Sequence, residues 1–140
     1  MYYDGLQQVI DPKLATQTLS ISLTDEMRPA EKNQNLFRVA EARDGDRLVW
    51  EFFLAHDDKL MADVDGFRRH RYIPNTLVRA IDPALADELL NYLRTKRAND
   101  SLVEAERAAE RIRYRGELRS RAVSDIDAWV ESRKAVGPLR

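Results

Sequence analysis

The sequence predicts an α+β fold: a small antiparallel β-sheet, made of a hairpin over 36–55 and a third strand over 18–24, followed by three to four helices. Two observations carry this. Asp44-Gly45 supplies the dipeptide of a two-residue type I′ turn between two runs of alternating apolar residues. From residue 57 the apolar spacing changes to a helical period punctuated by capping residues. A chain of 140 residues is the size of one ordinary domain, here with a β-rich acidic half, 1–56, and a helical basic half, 57–140.

The hairpin register follows from the turn. Pairing Arg43 with Asp46 sets Val39 against Trp50, Phe37 against Phe52 and Glu41 against Leu48, with Arg38 against Glu51 on the other face. Leu48, Trp50, Phe52 and Leu54 then face the core, and Leu36 and Phe53 fall on the opposite face. Upstream, "TLSISLT" alternates Leu19, Ile21 and Leu23 with hydroxyl residues, the pattern of a half-buried strand. Asp11-Pro12 starts one helical turn before it, and "TDEMRPAEKNQN" reads as a polar loop.

In the second half, Leu60, Met61 and Val64 share a helical face, and Gly66 serves as a C-terminal cap. "FRRHRYIPN", 67–75, becomes an ordered connector between helices, because Pro74 biases Ile73 toward extended backbone. Asp82-Pro83 opens a helix that buries Leu85, Leu89, Leu90 and Leu93 and runs out through cations to Asn99. "SLVE" at 101–104 is a capping box that starts another helix, continuing to Arg121. A second box, "SDID" at 124–127, starts the last one, and Gly137-Pro138 stops it.

Composition narrows the function classes. Hydrophobic residues at 44% and charged residues at 34% exclude a disordered polyelectrolyte, and no apolar run reaches the ~18 residues of a membrane span. The start carries no secretory pattern, and the absence of cysteine removes disulfides and thiolate chemistry. The expected location is cytoplasmic or within a virus particle. The net charge of −1 conceals an asymmetry: residues 1–66 hold 13 acidic and 7 basic side chains, whereas residues 67–140 hold 11 acidic and 16 basic ones. Such halves attract each other within one domain, or between copies, or leave the basic half for phosphate.

Catalytic motifs are sparse. His56 and His70 are the only histidines, and "HDD" at 56–58 lacks the further ligands of a metal centre. "DVDG" at 63–66 would place Met61 and Tyr72 at calcium-ligating positions that neither can fill. Five scattered glycines make no phosphate loop, and no serine sits in a glycine elbow. Neither catalysis, nor a metal, nor a cofactor is expected.

Basic clusters carry the remaining signal. Arg68, Arg69 and Arg71, flanked by Phe67 and Tyr72, combine phosphate contacts with base stacking, and 111–121 is a second arginine-rich patch. Projected at ~100° per residue, Leu102, Ala105, Ala109, Ile112 and Gly116 form a narrow seam. Arg107, Arg111, Arg115 and Arg119 line one flank of it and Glu106, Glu110 and Glu117 the other. Small seam residues between opposite charges suit close helix contact with another subunit. The sequence therefore points first to a non-enzymatic structural or adaptor subunit of a larger, symmetric assembly, such as a virus-particle joining or ring-forming protein, with protein subunits as partners and no membrane contact. The alternative is a small nucleic-acid-binding factor using 68–71 and 111–121.

Overall fold

The computed structural model describes residues 11–42, 44–97 and 101–136. Among these the chain is all helical, with six helices and no strand: α1 (Pro12–Ile21), α2 (Pro29–Glu41), α3 (Gly45–Ala62), α4 (Gly66–Leu77), α5 (Pro83–Lys96) and α6 (Val103–Val136). The expected α+β fold, with its antiparallel sheet and β-rich half, is overturned.

The hairpin fails because its apolar residues fit a helical period too. Leu36 and Phe53, assigned to the far face of a sheet, are fully buried, while Leu54, assigned to the core, is 44% exposed. Val39, Trp50 and Phe52 are buried as expected, but from helices. Asp44-Gly45 does reverse the chain, with Asp44 left-handed at φ 58°, yet it joins α2 to α3. Gly45 is needed for approach: a Cβ there would stand 1.9 Å from the Val39 carbonyl oxygen. Arg43, the expected partner of Asp46, lies outside the described residues.

The expected third strand is α1. Asp11 caps it by accepting from the Lys13 amide at 2.8 Å, and Pro12 occupies the first turn. The hydroxyls of Thr16, Thr18 and Ser20 donate to carbonyls four residues back, so the polar side chains are satisfied inside the helix. The expected loop around Pro29 likewise becomes the start of α2, with Glu31 returning to the Arg28 amide at 3.0 Å. Asn35, fully buried, ties α2 to α1 by donating to the Thr18 carbonyl and the Ser22 hydroxyl.

Gly66 starts α4 rather than ending a helix, and the expected connector "FRRHRYIPN" is helical through Pro74. Burial of Tyr72, Ile73, Pro74 and Leu77 on one face outweighs the missing proline amide. α5 forms as predicted, capped by Asp82 and burying Leu85, Leu89, Leu90 and Leu93; its expected end at Asn99 lies outside the described residues. The two helices expected at 101 and 124 are one, because α6 passes through the second capping box unbroken. Gly137-Pro138 lies outside the described residues.

The helices stack in two layers. α1 packs on α3 and α2 on α4, and α4 packs on α6. Between α3 and α5, Trp50 and Phe53 each meet Tyr92 edge-on at 5.6 Å. α1, α3 and α5 thus make one layer and α2, α4 and α6 the other, with short connections between consecutive helices. The buried faces of the helices meet in one core running from Ala15 of α1 to Ile112 of α6.

Candidate functional site

The seam predicted on 101–121 is real, and its first half is occupied by the chain itself. Ala105 and Ala109 are fully buried with Ala108 and Ile112, where α6 packs on α4 and α5. Gly116 lies against the connection to α5: a Cβ there would come within 2.7 Å of the Ile81 carbonyl oxygen and 2.8 Å of Pro83. The small residues do allow close approach, and what approaches is this chain's own α4, α5 and the turn between them.

The arginines of α6 scatter over several surfaces. Arg107 lies 3.5 Å from Glu104, Arg113 donates to Asp87 at 2.5 Å, and Arg121 pairs with Glu117. Arg115 and Arg119 line a cleft of about 290 Å³ shared with Glu41, Asp44 and Asp46 of the α2–α3 turn. Here the basic and acidic halves face each other within one molecule. Arg111 is exposed and makes no ion pair or side-chain hydrogen bond with the described residues.

The second predicted patch is also divided. Arg69 is half-buried and donates through Nε to the Val64 carbonyl at 3.1 Å. Arg71 lies 3.6 Å from Glu104 of α6 and donates to His70 Nε2. Tyr72 is buried, beside Phe53, so its ring is not offered to a base. Arg68 and the 75% exposed Phe67 remain open.

Sequence reasoning missed the distal half of α6. The helix has 34 residues, about 50 Å of length. From Glu117 to Lys134 every residue is exposed, including Val123, Ile126 (60%), Trp129 (59%) and Val130. Their spacing continues the buried seam: Ala105, Ala109, Ile112 and Gly116 are followed at alternating steps of three and four by Arg119, Val123, Ile126 and Val130. One heptad pattern therefore runs the whole helix, covered at first and then bare. The signal was present in the sequence, but the "SDID" box split the pattern in two. At the next seam position, Arg133 lies over the Trp129 ring at 5.2 Å.

Among the described residues no three or more His, Asp or Glu side chains come together in a metal-binding cluster. His56 sits at a bend in α3, with its ring 4.8 Å from Phe52. Among the described residues no helix is long and apolar enough to cross a membrane. No protein-family pattern matches the chain, and no curated protein matches it.

Proposed function

We propose that this chain is a non-enzymatic structural or adaptor module that acts through protein contacts, and that the distal half of α6 is its contact surface. The observation that carries this is the uncovered continuation of the α6 seam. The outermost helix of a stacked helical array ordinarily turns a polar face outward. Here it presents Val123, Ile126 and Val130 in register, with Trp129 next to them.

Charge selects the occupant as a second copy in antiparallel orientation. A two-fold axis between Val123 and Ile126 sets Val123 of one copy against Ile126 of the other. It sets Arg119, itself a seam position, against Val130 of the second copy. Parallel pairing would stack Arg119 on Arg119. A two-fold contact is self-complementary and satisfies both copies at once.

The test is native mass across a concentration series. A dimer that Ile126→Asp dissolves, with the melting temperature of the monomer unchanged, supports the proposal. A 16.2 kDa species at high concentration overturns it. Reversal of Arg111 and Arg115 to glutamate separates the nucleic-acid alternative: loss of a steeply salt-dependent DNA affinity, with mass unchanged, assigns the arginines to phosphate.

A further inference from the structure

Of the arginines scattered over α6, four stay on one arc. Turned at ~100° per residue, Arg107, Arg111, Tyr114, Arg115, Leu118 and Arg121 fall within about 120° on the side of the helix away from the seam. All six are exposed, and between Arg107 and Arg121 that arc holds no carboxylate. We propose that this arc binds a single-stranded nucleic acid, gripping its phosphates through the arginines and stacking a base on Tyr114.

The fold adds charge to the start of the arc. Arg71 belongs to the other arginine cluster, on α4, yet its guanidinium and that of Arg107 reach the same Glu104 oxygen, at 3.6 and 3.5 Å. One carboxylate shared by two cations leaves a net positive charge where α4 meets α6. From there Arg111 and Arg115 follow at intervals of four residues, about 6 Å along the axis. Neither makes an ion pair or a side-chain hydrogen bond with the described residues. Arg115 borders the α2–α3 turn, but there Glu41 is held by Arg79, and Asp46 accepts from the Ile81 amide at 3.4 Å. Exposed guanidiniums of this kind add little to the stability of the fold and remain available to phosphate.

Tyr114 selects a single strand over a duplex. Its ring is 63% exposed and lies one helical turn from Arg111 on one side and from Leu118 on the other. In a duplex the flat faces of the bases are stacked on one another, whereas in a single strand they are open to an aromatic ring. Such stacking tolerates any sequence, because every base has a π-face. A second copy paired through Val123 and Ile126 leaves the arc open, since those residues lie on the seam side of α6. Self-pairing and strand binding therefore use different surfaces of one helix.

The experiment follows the fluorescence anisotropy of a short labelled oligodeoxythymidine titrated with the full chain across a salt series, beside a duplex of the same length and polyglutamate. Saturable binding of the single strand, at least tenfold tighter than of the duplex or of polyglutamate, supports the proposal. Its log affinity falls against log salt with a slope of about −2, as three phosphates held by Arg107, Arg111 and Arg115 require. Replacing Arg111 and Arg115 together by glutamine lowers the affinity at least tenfold and brings the slope to about −0.7. Tyr114→Ala lowers the affinity about tenfold and leaves the slope unchanged. Both variants keep the melting temperature of the wild type, since none of these side chains belongs to the core. Absence of saturation at low salt overturns the proposal. So does duplex or polyglutamate binding as tight as that of the single strand, or wild-type affinity in either variant.

Discussion

Trp50 joins the core to a polar bridge. Its ring is buried between Phe53 and Tyr92, and its indole nitrogen donates to Glu88 at 2.8 Å. Glu88 also accepts from Arg47 through both carboxylate oxygens at 2.8 Å, while Arg47 reaches Asp82 at 2.5 Å. One guanidinium thus clamps α3 to the start of α5. Trp50→Ala should cost about 3–5 kcal/mol, read by chemical denaturation, because it opens a cavity where the indole packs between Phe53 and Tyr92. Hydrogen bonds from Arg47 hold the Asp82 and Glu88 carboxyls below their ordinary range. A depressed carboxyl stabilises the fold above its unfolded value, about 4, and that contribution is lost as the pH falls through the folded value. Arg47→Met should therefore lower the melting temperature at pH 7 and leave it nearly unchanged at pH 2. Because these side chains are between 35% and 45% exposed, each ion pair contributes at most about 1 kcal/mol. An equal loss at both pH values would show that Arg47 acts through packing alone.

At the scale of single elements, the Asp-Pro helix starts were readable, whereas Gly66, the box at 124–127 and the period over 36–55 were not. Asp11-Pro12 and Asp82-Pro83 start helices as their chemistry implies, whereas Asp44-Gly45 reverses the chain between two helices and not in the hairpin its dipeptide predicts. The stretch 36–55 misled because its many apolar residues satisfy a period of two as well as of 3.6, and local pairing rules cannot see Tyr92, which Trp50 and Phe53 pack against. The α6 seam was readable as far as Gly116, but a sequence does not say which helix fills it. The two glycines at close approaches give an element-level prediction. Gly45→Ala drives a methyl into the Val39 carbonyl, 1.9 Å away, where backbone cannot yield without separating α2 from α3. A loss of about 1–3 kcal/mol is expected. Gly116→Ala meets Ile81 and Pro83 at 2.7 and 2.8 Å, but it gains about 1 kcal/mol of helix propensity inside α6. Thermal melts should rank Gly45→Ala well below Gly116→Ala. The reverse order would mean that the α2–α3 turn relaxes more easily than the α6 contact.

Across the whole molecule, stability is distributed unevenly along α6. Residues 105–112 are held by the core, whereas those from Glu117 onward touch little of the chain. The distal half continues a helix nucleated by the packed residues before it, but propagation alone adds little per residue in water, so an unpacked end frays. That half therefore depends on being covered. If a second copy covers it, the amides of 118–136 exchange with solvent rapidly in dilute protein and become protected as concentration rises. Amides of 105–112 stay protected throughout, since their opening requires α6 to leave α4 and α5. Hydrogen exchange at two concentrations measures both regions in one sample. Ile126→Asp should abolish the concentration dependence in the distal half and leave the proximal half unchanged. Distal protection that is high and independent of concentration would refute self-pairing, because the helix would then be stable without a partner. Concentration-dependent protection spread evenly over both halves would place the contact elsewhere on the stack.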